Sequence, residues 1–196
     1  MKVTAVTDAD GLAAALGVRF EVFVEEQGVS ADSEADHLDD DPRTLHCLAV
    51  TDNDDFFGGS VAPGYVPGIA SGPPPGTVLA TGRLLAPHTD VIHGDASAMD
   101  QANPHIGRVA VLAAARGTGA GTAVMAFLEA AALARYGEGG TVRVELSAQD
   151  QAMPFYERLG YTAYGEAYLD EGISHHDAFK DLPTGSRGRE RLHQRG

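Results

Sequence analysis

Tryptophan is absent from this chain of 196 residues, and cysteine occurs once. The lone thiol of Cys47 excludes an intrachain disulfide and favours a protein of a reducing compartment. Because Cys47 lies in the apolar run 45–50, we expect a buried structural thiol and not a nucleophile. No apolar run approaches the roughly 18 residues of a membrane-spanning helix. Residues 1–4 lack the pattern of a signal peptide, so we expect a cytoplasmic protein without a membrane anchor.

Positive charge is scarce, with 14 lysine and arginine residues against 28 aspartate and glutamate residues and a net charge of −14. Binding to nucleic acid is therefore disfavoured, because contacts with the phosphate backbone need clustered basic side chains. An acidic surface suits an amine-bearing substrate, but acidity also keeps proteins in solution, and composition leaves both interpretations open. The histidines show no metal-ligand spacing and Cys47 has no cysteine partner, so we expect no metal site.

The hydrophobic pattern predicts a single α/β domain over residues 1–182, with a mixed sheet. The segment 52–77 is rich in glycine and proline, which predicts a flexible insertion; a lid over the substrate is the alternative. Residues 183–196 are polar and predicted to be disordered. The predicted strands are 2–7, 44–51, 78–85, 104–112, 141–147, 161–164 and 173–179, and the predicted helices are one capped by Asp8 or Asp10 that runs to about Phe23, 122–136 and 151–159.

The most informative segment is the glycine-rich turn Arg116–Gly121, between the apolar run 106–112 and the alanine-rich helical run 122–136. This order forms an anion cradle, because glycines permit close backbone approach and the free N–H groups of the first helical turn point at the ligand. The turn fails the dinucleotide pattern, which needs a third glycine where Thr122 stands. It also lacks the lysine of a P-loop. An ordinary tight strand-to-helix connection is the alternative.

Two motifs resemble signatures of the GNAT acetyltransferase superfamily. The turn has the spacing Arg-x-x-Gly-x-Gly, and Phe155–Tyr161 reads Phe-Tyr-Glu-Arg-Leu-Gly-Tyr. The resemblance covers roughly residues 2–182. It implies a mixed, mostly antiparallel central sheet flanked by helices, in which a splayed pair of parallel strands, the fourth and fifth, holds acyl-CoA.

The resemblance also implies a function. The protein would be an N-acetyltransferase with acetyl-CoA as co-substrate, and the primary amine of a small molecule or peptide would attack directly in a ternary complex. Homodimers are frequent in the superfamily. A non-catalytic acyl-CoA sensor on the same fold and, less favoured, an enzyme similar to acyl-homoserine lactone synthases are the alternatives.

In this resemblance, the turn binds the pyrophosphate through backbone N–H groups and the fourth strand pairs its backbone with the pantetheine arm. The expected cofactor-binding residues are Val109, Ala110, Val111, Arg116, Gly117, Thr118, Gly119, Ala120, Gly121, Thr122, Ser147 and Phe155.

Tyr156, Glu145 and His175 are candidates for proton transfer, and the case for His175 follows from a second resemblance described below. Tyr156 matches a family tyrosine that protonates the departing thiolate; a packing aromatic beside Phe155 is the alternative. Glu145 lies on a strand predicted to be buried, where a carboxylate is costly unless paired, and it could serve as the base. A salt bridge of Glu145 with Arg143 or Arg83 is the alternative.

A second resemblance, to the ElaA/YjcF-like branch, rests on the segments 18–29 and 171–180. By analogy, Arg19, Glu26 and Arg83 would bind the acceptor together with His175. Imidazole exchanges protons near neutral pH, so His175 could be the base or a ligand of the acceptor. A surface histidine in a hairpin is the alternative.

Overall fold

The computed structural model describes residues 1–52, 75–88, 97, 99–137 and 140–184. Nearly all of the predicted insertion 52–77 and residues 185–196 of the predicted tail lie outside the described residues.

Within these described residues, seven strands form one sheet. They are β1 (Lys2–Ala5), β2 (Leu45–Val50), β3 (Val78–Leu85), β4 (His105–Val111), β5 (Thr141–Gln149), β6 (Thr162–Asp170) and β7 (Ile173–Pro183). The strand order is β1-β2-β3-β4-β5-β7-β6. Every neighbouring pair is antiparallel except β4 and β5, which are parallel. This confirms the predicted mixed, mostly antiparallel sheet.

The described α-helices are α1 (Ala9–Arg19), α2 (Ala31–Glu34), α3 (Ala120–Tyr136) and α4 (Met153–Arg158). Asp8, and not Asp10, caps α1 by accepting a hydrogen bond from the Gly11 N–H at 2.8 Å. The predicted end near Phe23 is wrong, because α1 passes directly into a π-helical segment, Phe20–Glu26. Among the residues described, no helix is long and apolar enough to cross a membrane.

The main core lies between the sheet and α3. Val142, Val144 and Leu146 of β5 all join it, as their alternation predicts. Gly82 of β3 permits a close approach of α3, because a Cβ atom there would lie only 2.8 Å from Val124 Cγ1. The sheet face opposite α3 carries α1.

Cys47 lies inside this core with 0% of its surface exposed. Burial raises the pKa of its thiol to about 12, so the reactive thiolate is scarce at neutral pH. The predicted structural thiol is confirmed.

Strands β4 and β5 pair at one position only. His105 lies opposite Glu145, and the Glu145 N–H donates to the Pro104 carbonyl at 3.1 Å. Beyond this pair the strands diverge toward their carboxyl ends, which confirms the splayed parallel pair. A bulge sits in β4 at the divergence, where Arg108 has a φ of +52°. Such a bulge bends its strand and re-aims the local side chains.

Candidate active site

A cleft of about 930 Å³ opens where β4 and β5 diverge. Its walls come from both strands, from the glycine-rich turn, from α4, from the π-helical segment after α1 and from the β6–β7 hairpin. The cleft therefore reaches from one helical layer to the other through the gap in the sheet.

The glycine-rich turn forms one end of the cleft. Gly117 and Gly119 have φ values of +78° and +91°, which favour glycine because L side chains are strained there. Gly119 caps α3, and the helix begins at Ala120, two residues before the predicted start at Thr122. The free N–H groups of the first turn of α3 therefore lie at the cleft, at the positive end of the helix dipole.

Ten of the twelve predicted cofactor-binding residues line the cleft, namely Val109, Val111, Arg116, Gly117, Gly119, Ala120, Gly121, Thr122, Ser147 and Phe155. The other two do not. The Ala110 side chain packs against Val18 and Val22 on the α1 side, so only its backbone remains a candidate. The Thr118 hydroxyl donates to the Ala115 carbonyl at 2.7 Å, which occupies its proton. The role of these residues in cofactor binding stays a prediction.

Arg116 reaches across the end of the cleft to Glu26. Its two terminal nitrogens donate to the two carboxylate oxygens at 2.7 and 2.6 Å. The hydrogen bonds from Arg116 lower the pKa of the exposed Glu26 carboxyl. Glu26 thus lines the cleft beside the glycine-rich turn, at the end where the pyrophosphate is predicted, and its role in acceptor binding stays a prediction.

Tyr156 lies in the cleft wall on α4, with 9% of its surface exposed. Its ring makes edge contacts with Phe155 and Tyr161, with centroids 5.0 and 6.0 Å away. Burial raises the pKa of the phenol to about 12. The side chain therefore stays protonated at physiological pH and can donate a hydrogen bond into the cleft. Its position fits both the predicted acid and the packing alternative.

His175 lies on β7 and also lines the cleft. Its Nδ1 lies 2.8 Å from the carbonyl oxygen of Ile173. Because a carbonyl only accepts, Nδ1 carries the proton, and Nε2 is the nitrogen that can accept one from a substrate. The ring stacks on Tyr168, with centroids 6.0 Å apart and a 20° angle between planes.

Glu145 does not line the cleft. It is 3% exposed, and its carboxylate accepts hydrogen bonds from the Asp100 N–H at 2.9 Å, from Asn103 Nδ2 at 2.7 Å and from the Tyr164 hydroxyl at 2.6 Å. Three donors satisfy a buried carboxylate and fix the loop before β4. A carboxylate so enclosed cannot take a proton from an amine in the cleft, so the assignment of Glu145 as the base is wrong.

Glu145 also does not form the alternative salt bridge with Arg143 or Arg83. Arg143 binds Asp181, with both donor–acceptor distances at 2.8 Å. Arg83 donates to Asp36 at 2.6 Å and to Asp39 at 2.5 Å. Glu145 is held by neutral donors.

Arg19 and Arg83 belong to a buried charge cluster beneath α1, and not to the cleft. Arg19 is 0% exposed; it binds Glu34 and donates to Asp39 at 2.7 Å. Arg83 is 2% exposed and shares Asp39. Side chains so enclosed cannot touch a substrate, so their assignment to acceptor binding is wrong. Arg19 anchors the segment 31–39 to α1, and Arg83 anchors it to β3.

The charge cluster predicts an acid-sensitive fold. Burial alone would raise the pKa of Asp39, but the hydrogen bond from Arg19 and the charges of Arg83 and Arg19 outweigh it and hold the pKa far below its usual range. Because the folded-state pKa is depressed, the stabilisation exists above the unfolded pKa of about 4 and is lost as the pH falls through the folded value.

We expect Asp39→Asn to lower the free energy of unfolding at pH 7 by about 3–5 kcal/mol, because it removes the charge of the carboxylate that two buried arginines share. The decline of stability below about pH 5 should also become shallower. Urea unfolding at several pH values measures both effects. Asp32→Asn removes an exposed carboxylate of the same segment and should change neither. An equal response in the two variants would contradict the role of the cluster.

Arg108 and Gln149 also line the cleft, although neither is among the predicted site residues. Arg108 lines the cleft from the β4 bulge, and its guanidinium donates to the Ser33 carbonyl at 3.0 Å. Gln149 ends β5 and donates to Gln27 at 2.6 Å, which joins the two sides of the cleft. The alternation of polar residues at 145, 147 and 149 could have identified Gln149, whereas a bulge cannot be predicted from pattern.

Comparison with known proteins adds an independent line of evidence. Residues 81–182 match the family model described as "Acetyltransferase (GNAT) domain". The chain is 30% identical over 182 residues to the uncharacterized N-acetyltransferase YjcF of Bacillus subtilis, a match that covers 92% of this chain and 100% of that protein. An acyl-CoA N-acyltransferase structure from Pseudomonas aeruginosa aligns with a TM-score of 0.62 and 28% identity, covering 91% of this chain and 98% of that one. Escherichia coli ElaA aligns with a TM-score of 0.62 and 23% identity over 90% of this chain and 97% of its own, a likeness of fold.

Proposed function

Because this protein belongs to the GNAT acetyltransferase family, we propose that it transfers an acetyl group from acetyl-CoA to a primary amine of a small molecule or peptide. The observation that supports this most is the cleft, whose walls include the glycine-rich turn, the diverging ends of β4 and β5, and Tyr156. These parts would supply what direct transfer needs, namely an anion cradle, strand edges that can pair with the cofactor and a proton donor.

The cofactor would lie along the gap between the strands. The N–H groups that open α3 would bind the pyrophosphate, with the dipole of this 17-residue helix behind them. The diverging strands have backbone groups that do not pair with each other, so they can pair with the amides of the pantetheine arm. Arg116 would exchange Glu26 for a phosphate.

The reaction would be a direct displacement. The amine nitrogen forms a bond with the thioester carbon, the carbon–sulfur bond breaks, and the amine loses a proton. Tyr156 would donate a hydrogen bond to the departing sulfur, and its raised pKa keeps that proton in place. His175 would contact the acceptor from the hairpin side.

Titration calorimetry tests the cofactor assignment, with acetyl-CoA, NADH and ATP in separate experiments. We expect acetyl-CoA to bind with a micromolar Kd, and we expect no binding of NADH or ATP. A library of primary amines, with release of the CoA thiol as the readout, then tests turnover. Binding without turnover on any amine would indicate the non-catalytic sensor, and turnover only with S-adenosylmethionine would indicate the lactone-synthase alternative. No binding of acetyl-CoA by folded protein would contradict the proposal.

Removing the counter-charge of Arg116 should strengthen cofactor binding. Glu26→Gln frees the guanidinium and removes a carboxylate that repels the pyrophosphate. We expect several-fold tighter binding of acetyl-CoA by calorimetry at low ionic strength, and a smaller gain in added salt. Glu25→Gln makes the same charge change at an exposed position outside the cleft and serves as the control. Equal affinities in the two variants would show that Glu26 does not compete with the ligand.

A further inference from the structure

A chain of hydrogen bonds runs from the cleft wall to a buried carboxylate that the proposed reaction does not yet use. Ser147 lines the cleft, and its hydroxyl binds the hydroxyl of Tyr168. The Tyr168 hydroxyl lies 2.7 Å from Asp177 Oδ1. Tyr168 and Asp177 are 6% and 2% exposed. Three groups on three adjacent strands, β5, β6 and β7, therefore connect the cleft to the interior.

The direction of each bond follows from the chemistry of the groups. A carboxylate only accepts, so Tyr168 donates its proton to Asp177. The tyrosine oxygen is then the acceptor for the proton of Ser147. The remaining lone pair of the Ser147 oxygen is available to a donor in the cleft. Ser147 thus offers an acceptor to the cleft on the sheet face opposite the main core, since Leu146 and Ala148 beside it point into that core.

We propose that Ser147, Tyr168 and Asp177 form a relay that removes the proton from the attacking amine. This inference rests on the proposed acetyl transfer. As the carbon–nitrogen bond forms, the amine proton passes to the Ser147 oxygen, the Ser147 proton to the Tyr168 oxygen and the Tyr168 proton to Asp177. The charge of the carboxylate is neutralised while the thiolate leaves. After product release, Asp177 returns a proton to Tyr168 and Tyr168 returns one to Ser147. The proton taken from the amine then leaves Ser147 for water in the open cleft, from which the CoA thiolate takes up a proton. No further reactant is required.

The surroundings of Asp177 fit the end of a relay. Ser97 donates to both of its oxygens, at 3.2 and 3.1 Å, and holds the carboxylate in place. Among the described residues, the titratable and charged groups on these strands include Glu145 and Arg143 on β5, Tyr164 and Tyr168 on β6, and His175, His176 and Asp181 on β7. Glu145 and Arg143 are occupied by partners of their own. His175 is a rival proton acceptor, because it lines the cleft and its ring stacks on Tyr168. The described carboxylates that line the cleft are Glu26, Glu34, Asp170 and Glu171.

The test compares two tyrosines of β6 in the full-length protein. Tyr168→Phe keeps the ring that stacks on His175 and removes only the hydroxyl of the relay. Tyr164→Phe removes a similar bond, from a tyrosine hydroxyl to the carboxylate of Glu145 outside the cleft, and is the matched control. We expect Tyr168→Phe to lower kcat about 10²-fold, with the affinity for acetyl-CoA unchanged, and Tyr164→Phe to leave kcat within about twofold.

Two further measurements separate a relay from a structural role. Because the links act in series, Ser147→Ala should lower kcat as much as Tyr168→Phe, and the double variant should be no worse than either. Asp177→Asn should lower kcat as much as Tyr168→Phe and add nothing to it in the double variant, whereas in His175→Gln the effect of Tyr168→Phe should persist. Bound acetyl-CoA in each variant confirms that it is folded.

The outcomes are distinct. If the wild type binds acetyl-CoA but acetylates no amine, the proposed function and the relay both fail. If the wild type is active and Tyr168→Phe matches Tyr164→Phe, only the relay is overturned. If His175→Gln lowers kcat and Asp177→Asn does not, the proton goes to His175 and the relay is also overturned.

Discussion

Tyr156→Phe is expected to lower kcat by about 10²-fold or more while the affinity for acetyl-CoA stays the same. The substitution removes one oxygen from a buried aromatic ring in the cleft wall and keeps the ring contacts with Phe155 and Tyr161. The lost group is the donor that would stabilise the developing charge on sulfur, an interaction that exists only as the bond breaks. Such losses appear in kcat, and a contribution of about 10²–10⁴-fold is usual for a positioned acid.

The dependence of kcat on pH gives a second test of Tyr156. Because burial raises the pKa of Tyr156 to about 12, the phenol keeps its proton through the range in which the enzyme can be assayed. Wild type and Tyr156→Phe should therefore differ in height at every pH below about 10 and share the shape of the profile. Tyr161→Phe alters a buried tyrosine that touches the same ring outside the cleft, and it should leave kcat unchanged. If Tyr156→Phe turns over as fast as the wild type, Tyr156 has only a packing role.

The cofactor end of the cleft could be predicted because its determinants are local in sequence. A left-handed turn needs glycine, and α3 starts where that turn ends. The turn and the strand before it are adjacent in the chain, so Gly117 and Gly119 were identifiable without any tertiary information. Even so, α3 begins at Ala120, two residues before the predicted start at Thr122, because Gly119 itself serves as the N-cap.

The acceptor end could not be predicted in the same way, because its partners come from distant segments. Arg19 binds a carboxylate 15 residues away and Arg83 binds one 47 residues away. The sequence indicates which residues are charged, but it does not reveal which of them neutralise each other inside the fold. Residues that resemble a family's acceptor pocket thus proved to be the anchors of a buried cluster.

The hairpin that carries the proposed relay was predicted too short for a related reason. The predicted strand 161–164 continues as β6 to Asp170. Gly165 has a φ of +76°, and the register of β6 against β7 shifts between Tyr164 and Tyr168. A shift of this kind breaks the alternation of polar and apolar residues on which strand prediction depends. The sequence pattern therefore does not identify Tyr168, although its hydroxyl forms hydrogen bonds with both Ser147 and Asp177.

Gly119→Glu should weaken the binding of acetyl-CoA by about 100-fold or more. Two effects act in the same direction. The φ of +91° costs about 1–2 kcal/mol for a residue with a side chain. The new carboxylate would also sit at the N-terminus of α3, where it would take the N–H groups meant for the pyrophosphate and repel that anion. Losing two hydrogen bonds to a charged group, each worth about 1.5–3 kcal/mol, accounts for the expected factor.

Matched variants separate strain from charge. Gly76 has a φ of +82° and, like Gly119, no atom within 4 Å of an added Cβ, but it lies outside the cleft. Gly76→Glu therefore has the same backbone strain and the same new charge, and it should bind acetyl-CoA as the wild type does. Gly119→Ala keeps the strain at the turn without the charge and should weaken binding only modestly. If calorimetry finds Gly119→Glu no weaker than Gly76→Glu, the turn does not bind the pyrophosphate, and the cleft holds its ligand by other groups.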